Sequence, residues 1–234
     1  MHNILCLSTF VPLLRKQGRN LGYYGNVKLT LADSNRDMLI EAAAKLRDEK
    51  NCQVKDVEVV LADSEDIVEE STRTDVTSAT VSANASATTP ATTPATNPVA
   101  TSTTRSIPIA PKNDGTAERM LRSLRKFPPE SFDTVVDTFG LCSLADPGKA
   151  LQQMLRVIRP GGRIVLLEHG KGTWRLINDI LLAQEQDHFQ RWGCHFNRDI
   201  DALITGLVEQ GGMRSIWRWR THFGTTVCAV LEKV

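Results

Sequence analysis

Apolar and polar positions along this 234-residue chain follow two periods, and the switches between them mark its elements. Residues 132–170 read FDTVVDTFGLCSLADPGKALQQMLRVIRPGGRIVLLEHG. An apolar run over 134–141 stops at Cys142-Ser143. A helical stretch follows, then a Pro160-Gly161-Gly162 turn. A second apolar run over 163–167 stops at Glu168-His169. Strand, helix, tight turn and strand predict a parallel β-α-β unit. The same rhythm occurs earlier. Residues 27–32 (VKLTLA) predict a strand ending at Asp33. Residues 35–50 predict a helix, with Met38, Leu39, Ala42, Ala43 and Leu46 on one face and Ser34 or Asn35 as its cap. Residues 57–61 (VEVVL) predict the next strand, ending at Ala62-Asp63. Later, residues 174–192 predict a helix with Leu176, Ile177, Ile180, Leu181 and Ala183 on its apolar side, and 200–210 another, closed by Gly211-Gly212. Residues 215–220 and 225–231 alternate around a turn at 221–224 and predict an antiparallel hairpin. The expected fold is α/β: a doubly wound sheet, mostly parallel, finished by a C-terminal antiparallel hairpin.

The pattern breaks between 71 and 111. That stretch is Ser, Thr, Ala and Pro with almost no bulky apolar residue, and it contains the near-repeat ATTPATTPATNP. Such a segment cannot offset its ordering entropy by burial, so a disordered insertion is predicted. It falls between two strands and reads as a surface loop of one domain. Loop-closure entropy rises by only about 0.6 kcal/mol per doubling of length, so a sheet can carry it. Residues 117–126 predict a short helix returning to the sheet. The organisation expected is an atypical N-terminus over 1–17 and one domain over 18–234, interrupted by the insertion.

Composition narrows the classes. The formal net charge is +1, which offers no general attraction to nucleic acid or anionic surfaces. Five cysteines, at 6, 52, 142, 194 and 228, form no C-x-x-C pair, and reduced thiols are expected. Cys194 and His195 with His222 show no metal-ligand spacing, so no metal is expected. No apolar run approaches the ~20 residues that cross a bilayer. Before Asp33 there is no acidic residue, whereas Arg15, Lys16, Arg19 and Lys28 are basic, a composition faintly like a mitochondrial transit peptide.

Ligands of open α/β sheets sit at the carboxyl ends of the strands. The residues standing there are Asp33, Asp63-Ser64, Phe139-Gly140-Leu141-Cys142-Ser143 and Glu168-His169-Gly170. Asp33 reads either as a ligand-binding carboxylate or as a strand-end or helix-capping aspartate. Met38 reads as a ligand contact or as plain core, and His169 as a general base, an acceptor-orienting group or a structural histidine. The clusters Trp192-Gly193-Cys194-His195-Phe196-Asn197 and Thr221-His222-Phe223-Gly224-Thr225-Thr226 are candidates for an acceptor site. Trp217 and Trp219 share a strand face and read as packing. A nicotinamide dehydrogenase is disfavoured, because no G-x-G-x-x-G follows a strand.

The segments FDTVVDTFGLCSLADPGKAL, PGGRIVLLEHGKG, WGCHFNRDI and THFGTTVCAV resemble the fungal mitochondrial methyltransferase-like family. That family lies within the methyltransferase type 11 group of class I S-adenosylmethionine-dependent methyltransferases, near the ubiquinone/menaquinone methyltransferases. The resemblance covers about 18–67 and 118–234. It implies a Rossmann-like fold, S-adenosylmethionine as cofactor, a small-molecule or mitochondrial acceptor, a mitochondrial location and association with the inner membrane. It also implies roles. Asp33 takes the ribose hydroxyls, with Met38 beside the adenine. Asp63 with Ser64 reads the adenine amine. Phe139, Gly140 and Cys142 line the methionine part, and His169 is the catalytic candidate. Gly18 and Asn20 resemble the end of the family's glycine-rich turn, but its acidic residue and earlier glycines are missing. Residues 4–9 are a candidate substitute first strand, although Pro12, Arg15 and Lys16 sit badly with it. The expectation from this departure is an altered or truncated start. The second reading that follows is a cofactor-impaired binding or assembly module.

Overall fold

Strands β1 (His2–Ser8), β2 (Val27–Asp33), β3 (Asp56–Leu61), β4 (Phe132–Thr138), β5 (Ile158–His169), β6 (Met213–Thr221) and β7 (Thr226–Lys233) form one sheet in the order β3-β2-β1-β4-β5-β7-β6. The structure is a computed structural model and describes residues 1–8, 24–46, 56–69 and 124–234. The first five strands run parallel, and β7 is antiparallel to both β5 and β6. The helices are α1 (Arg36–Leu46), α2 (Pro147–Val157), α3 (Arg175–Trp192) and α4 (Ile200–Glu209). The chain winds outward through β2 and β3, then restarts beside β1 with β4. The switch point of the sheet therefore lies between β1 and β4, where doubly wound sheets bind ligands.

The short N-terminal strand is a full member of the sheet. His2 pairs with Val27 on one side and Ile4 with Thr134 on the other. Leu5 and Leu7 join the core that contains α2 and α4, whereas Ile4 and Cys6 join the core beneath α1. A strand buried on both faces needs an unbroken apolar run, which ILCL supplies. Pro12 and the basic residues lie outside the described residues, as do Gly18, Asn20, the insertion at 71–111 and most of the helix expected at 117–126.

Local signals explain the helix starts. Asn35 caps α1, its Oδ1 accepting from the backbone of Asp37 at 2.9 Å. Asp146 caps α2, accepting from the Lys149 N–H at 2.9 Å, and Pro147 takes the first helical position. Ala150, Leu151, Met154 and Val157 then fall on one buried face. The Pro160-Gly161-Gly162 turn belongs to β5 itself, as an irregularity between the pairs Phe132–Ile158 and Thr134–Arg163. A Cβ on Gly162 would stand 2.8 Å from the Arg159 carbonyl and 2.9 Å from that of Asp133, so the bulge closes only around glycine.

Two packing expectations are corrected. Helix α3 has no buried residue, and its apolar side is open, with Leu176 70% and Ile180 47% exposed. Periodicity detects an amphipathic helix but not what covers it, and no described element covers this one. Trp217 and Trp219 are 50% and 60% exposed. They lie on an edge strand whose register shifts between Ser215 and Trp217. Their neighbours Arg218 and Arg220 turn toward Asp201 of α4, so the tryptophans occupy the opposite face.

Candidate active site

The carboxyl ends of β2, β3, β4 and β5 share one rim of the sheet. Asp33, the last residue of β2, is buried, and its Oδ1 accepts from the Asn35 N–H at 2.7 Å. Its own carbonyl accepts from Ala62 at 3.0 Å, which brings the end of β3 alongside. Asp63 follows in a turn with Ser64, both half-buried, and its Oδ1 accepts from Glu65 at 2.9 Å. Glu65 in turn accepts from the Asp146 N–H at 3.1 Å, tying this turn to the start of α2. Met38 is buried in the first turn of α1.

The loop after β4 is held from within. Phe139 has a left-handed backbone, with φ 58°. A non-glycine residue in that region costs energy, and such strain gathers at functional sites. Its N–H donates to the Leu167 carbonyl at 2.8 Å, and its ring stacks on His169 with centroids 4.1 Å apart. Glu168 is fully buried and anchors the loop through both oxygens, which accept from Gly140 at 3.3 Å and Cys142 at 3.4 Å. From the other side, Arg198 donates to the carbonyls of Leu141 at 2.5 Å and Leu144 at 2.8 Å.

Sequence reasoning named Glu168 only as a strand end, and it passed over Asp137. Asp137 is buried in β4, and neither carboxylate oxygen has a hydrogen-bond partner. Burial pushes its carboxyl up to about 7, with the Asp33 charge adding to the rise; the Leu141 and Thr138 amides and the Glu168 side chain oppose it from outside good hydrogen-bond geometry. Burial and the Asp137 charge push Glu168 well above the usual range. This part of the rim therefore holds protons that surface carboxyls release.

Cys142 and His169 lie together, joined by Cys194 from beyond α3. The two sulfurs are 3.1 Å apart, and the Cys194 sulfur is 3.7 Å from His169 Nδ1. The Cys194 contact and burial push the Cys142 thiol up, whereas the same contact draws Cys194 down. The trio weighed from sequence, Cys194 with His195 and His222, is not what forms. His195 Nδ1 pairs with Glu185 at 3.1 Å, and His222 Nδ1 with the Thr226 hydroxyl at 3.1 Å.

The donor set suits S-adenosylmethionine. Asp33 and Asp63 place two carboxylate acceptors at adjacent strand ends, a set that fits a ligand donating from hydroxyl and amine groups.

Comparison with known proteins gives matches of sequence and of fold. Residues 101–166 match the family model described as a methyltransferase domain. Methyltransferase OMS1, mitochondrial, of Saccharomyces cerevisiae is 39% identical over 102 residues, covering 44% of this chain and 21% of that protein. The ubiquinone/menaquinone biosynthesis C-methyltransferase UbiE of Hahella chejuensis is 51% identical over 102 residues, covering 37% of this chain and 41% of that protein. The alignments thus span less than half the length of either relative. A SAM-dependent methyltransferase from Methanosarcina mazei superposes with a TM-score of 0.54 at 12% identity, covering 99% of this chain and 92% of that one. At that identity the likeness shows the fold. No helix among the described residues is long and apolar enough to cross a membrane.

Proposed function

We propose that this chain, a class I methyltransferase close in sequence to the yeast protein, transfers a methyl group from S-adenosylmethionine to a small-molecule or mitochondrial acceptor. The observation that carries the cofactor assignment is the placement of Asp33 and Asp63 at the carboxyl ends of the neighbouring strands β2 and β3, on the same rim as the switch point. The name of the yeast relative supports a mitochondrial setting.

When bound, the cofactor supplies an electrophilic methyl on a sulfonium, and the protein's task is to hold and align. Asp33 would accept from the ribose hydroxyls, and Asp63 with Ser64 from the adenine amine. Met38 is the candidate neighbour of the adenine. Gly18 and Asn20 remain candidates on the resemblance alone. Glu168 holds the Phe139–Cys142 loop, so this loop presents fixed backbone to the methionine part. Because the Cys142 thiol is turned to Cys194, its contribution there is the main chain. His169 uses Nδ1 on Cys194, which leaves Nε2 to orient an acceptor or take its proton. An acceptor that is already nucleophilic needs no base.

Calorimetric titration with S-adenosylhomocysteine tests the reading. Binding is expected, and Asp33→Ala should abolish it while leaving the chain folded by circular dichroism. A folded chain that binds no S-adenosylhomocysteine would overturn the proposal and favour a non-catalytic binding or assembly module.

A further inference from the structure

Three potential ligand groups that are remote in sequence meet beside this rim. Cys142 stands in the loop after β4, His169 ends β5, and Cys194 follows Gly193, the left-handed residue that closes α3. Their ligand atoms all lie within 4.8 Å of one another. We propose that Cys142, His169 and Cys194 form a binding site for a thiophilic divalent cation of the zinc type, held by two thiolates and one imidazole nitrogen. The proposal stands independently of methyl transfer.

The donor set selects the ion. Two cysteine sulfurs and a histidine nitrogen suit zinc, whereas magnesium and calcium require oxygen. Charge is balanced as well. Both cysteines are buried, and two thiolates facing a dication sum to a neutral centre where two bare thiolates would not. The fit needs only a small adjustment. With Zn–S bonds of about 2.3 Å, tetrahedral sulfurs stand roughly 3.8 Å apart. The observed separation is 3.1 Å.

The third donor separates this site from a plain dithiol. A disulfide uses two sulfurs and has no need of a ring nitrogen turned toward them. Here His169 Nδ1 faces Cys194, and the imidazole is steadied by its stack on Phe139. The supporting bonds hold the ligands themselves. Glu168 accepts from the Cys142 N–H, and the His195 N–H donates to the Cys142 carbonyl at 2.8 Å, tying the segment after α3 to the loop after β4. Such outer bonds orient metal ligands. A site with three protein ligands leaves a fourth position for water or a hydroxyl. Ser143 Oγ lies 3.7 Å from the Cys142 sulfur, on the edge of the site. With Nδ1 on the ion, His169 Nε2 carries the proton, so the loaded histidine orients an acceptor and does not deprotonate it.

The test uses the reduced, chelator-stripped chain titrated with cobalt(II) and then zinc. The expected result is a near-ultraviolet thiolate-to-cobalt charge-transfer band, with visible bands of a tetrahedral ion that zinc displaces. Cys142→Ser and Cys194→Ser should each remove the charge-transfer signal, and His169→Ala should weaken binding. Cys228→Ser, at a thiol outside the cluster, should leave it intact. A second measurement needs no variant. Zinc should slow alkylation of Cys142 and Cys194 in the unmodified chain, read by peptide mass spectrometry, and leave Cys228 unaffected. Absence of the band with equal alkylation in the presence and absence of zinc would overturn the proposal. So would recovery of Cys142 and Cys194 as a disulfide from chain kept under reductant.

Discussion

Asp137 offers the sharpest test of the site's electrostatics. It is a buried carboxyl without a hydrogen-bond partner, pushed up to about 7 mainly by burial. In the unfolded chain it titrates as an ordinary aspartate near 4. Between those values the folded chain binds the proton and the unfolded chain does not, so stability falls as pH rises. The loss begins near the unfolded value and is complete once pH passes the folded one. The gap converts to roughly 4 kcal/mol, an upper bound because local relaxation and water entry soften the cost of a buried charge. Asp137→Asn keeps the shape and stays neutral throughout. Its NH2 group also faces the Leu141 and Thr138 backbone amides, with Glu168 beside them, a mismatch that costs about 1–2 kcal/mol at every pH. The variant should therefore be equal to or slightly less stable than the parent at pH 5, and more stable by a few kcal/mol at pH 8. Urea unfolding followed by far-ultraviolet circular dichroism at several pH values reads the difference directly. A difference between the two proteins that does not change from pH 5 to 8 would refute the argument, because it would mean that Asp137 titrates as an exposed group.

Other substitutions test the supports of the rim. Glu168→Ala leaves the Gly140 and Cys142 amides unpaired in a buried place, and should cost roughly 3 kcal/mol in urea unfolding and weaken S-adenosylhomocysteine binding in calorimetry. Glu168→Gln retains one acceptor oxygen but sets its NH2 against the other amide, and should recover only part of both. Arg198→Ala frees the Leu141 and Leu144 carbonyls from their charge-assisted donor and should lower stability by about 2 kcal/mol, read by thermal melting. Gly162→Ala drives a Cβ against two carbonyls of the β5 bulge and should destabilise by about 1–3 kcal/mol in the same assay.

The parts of the fold that were legible in sequence are those set by local pattern. VVDTFG, RIVLLEH and the terminal hairpin announce their strands by alternation and by where the apolar run stops. The cap of α1 is visible as Ser34 or Asn35, because capping is chemistry within three residues; Asp146-Pro147 carries the same signal at α2, and the sequence reading passed over it. The N-terminal strand was harder. ILCL is an apolar run like the others, but the glycine-rich turn that ordinarily follows such a strand is incomplete, and Pro12, Arg15 and Lys16 sit where its start belongs. The sheet accepts the strand because burial on both faces depends on its own side chains. Exposure was not legible. An apolar stripe on α3 and a tryptophan pair on β6 carry the same periodic signal whether or not another element covers them.

The Cys142, His169 and Cys194 cluster was invisible for a different reason. Metal-ligand motifs are recognised when short spacing itself brings ligands together on one turn or knuckle. Here the first two stand 27 positions apart and the last two 25. Parallel pairing of β4 with β5 brings the first two together, since both strands end on the same rim. The third arrives because α3 ends at Gly193 and returns Cys194 to the loop after β4 through the His195–Cys142 backbone bond. Each step is a property of topology, and residue spacing alone carries none of them. Cys142, His169 and Cys194 fall in three of the segments that carry the family resemblance, FDTVVDTFGLCSLADPGKAL, PGGRIVLLEHGKG and WGCHFNRDI. In the folded chain they are three sides of one small site, so a substitution in any of them should be felt at the other two.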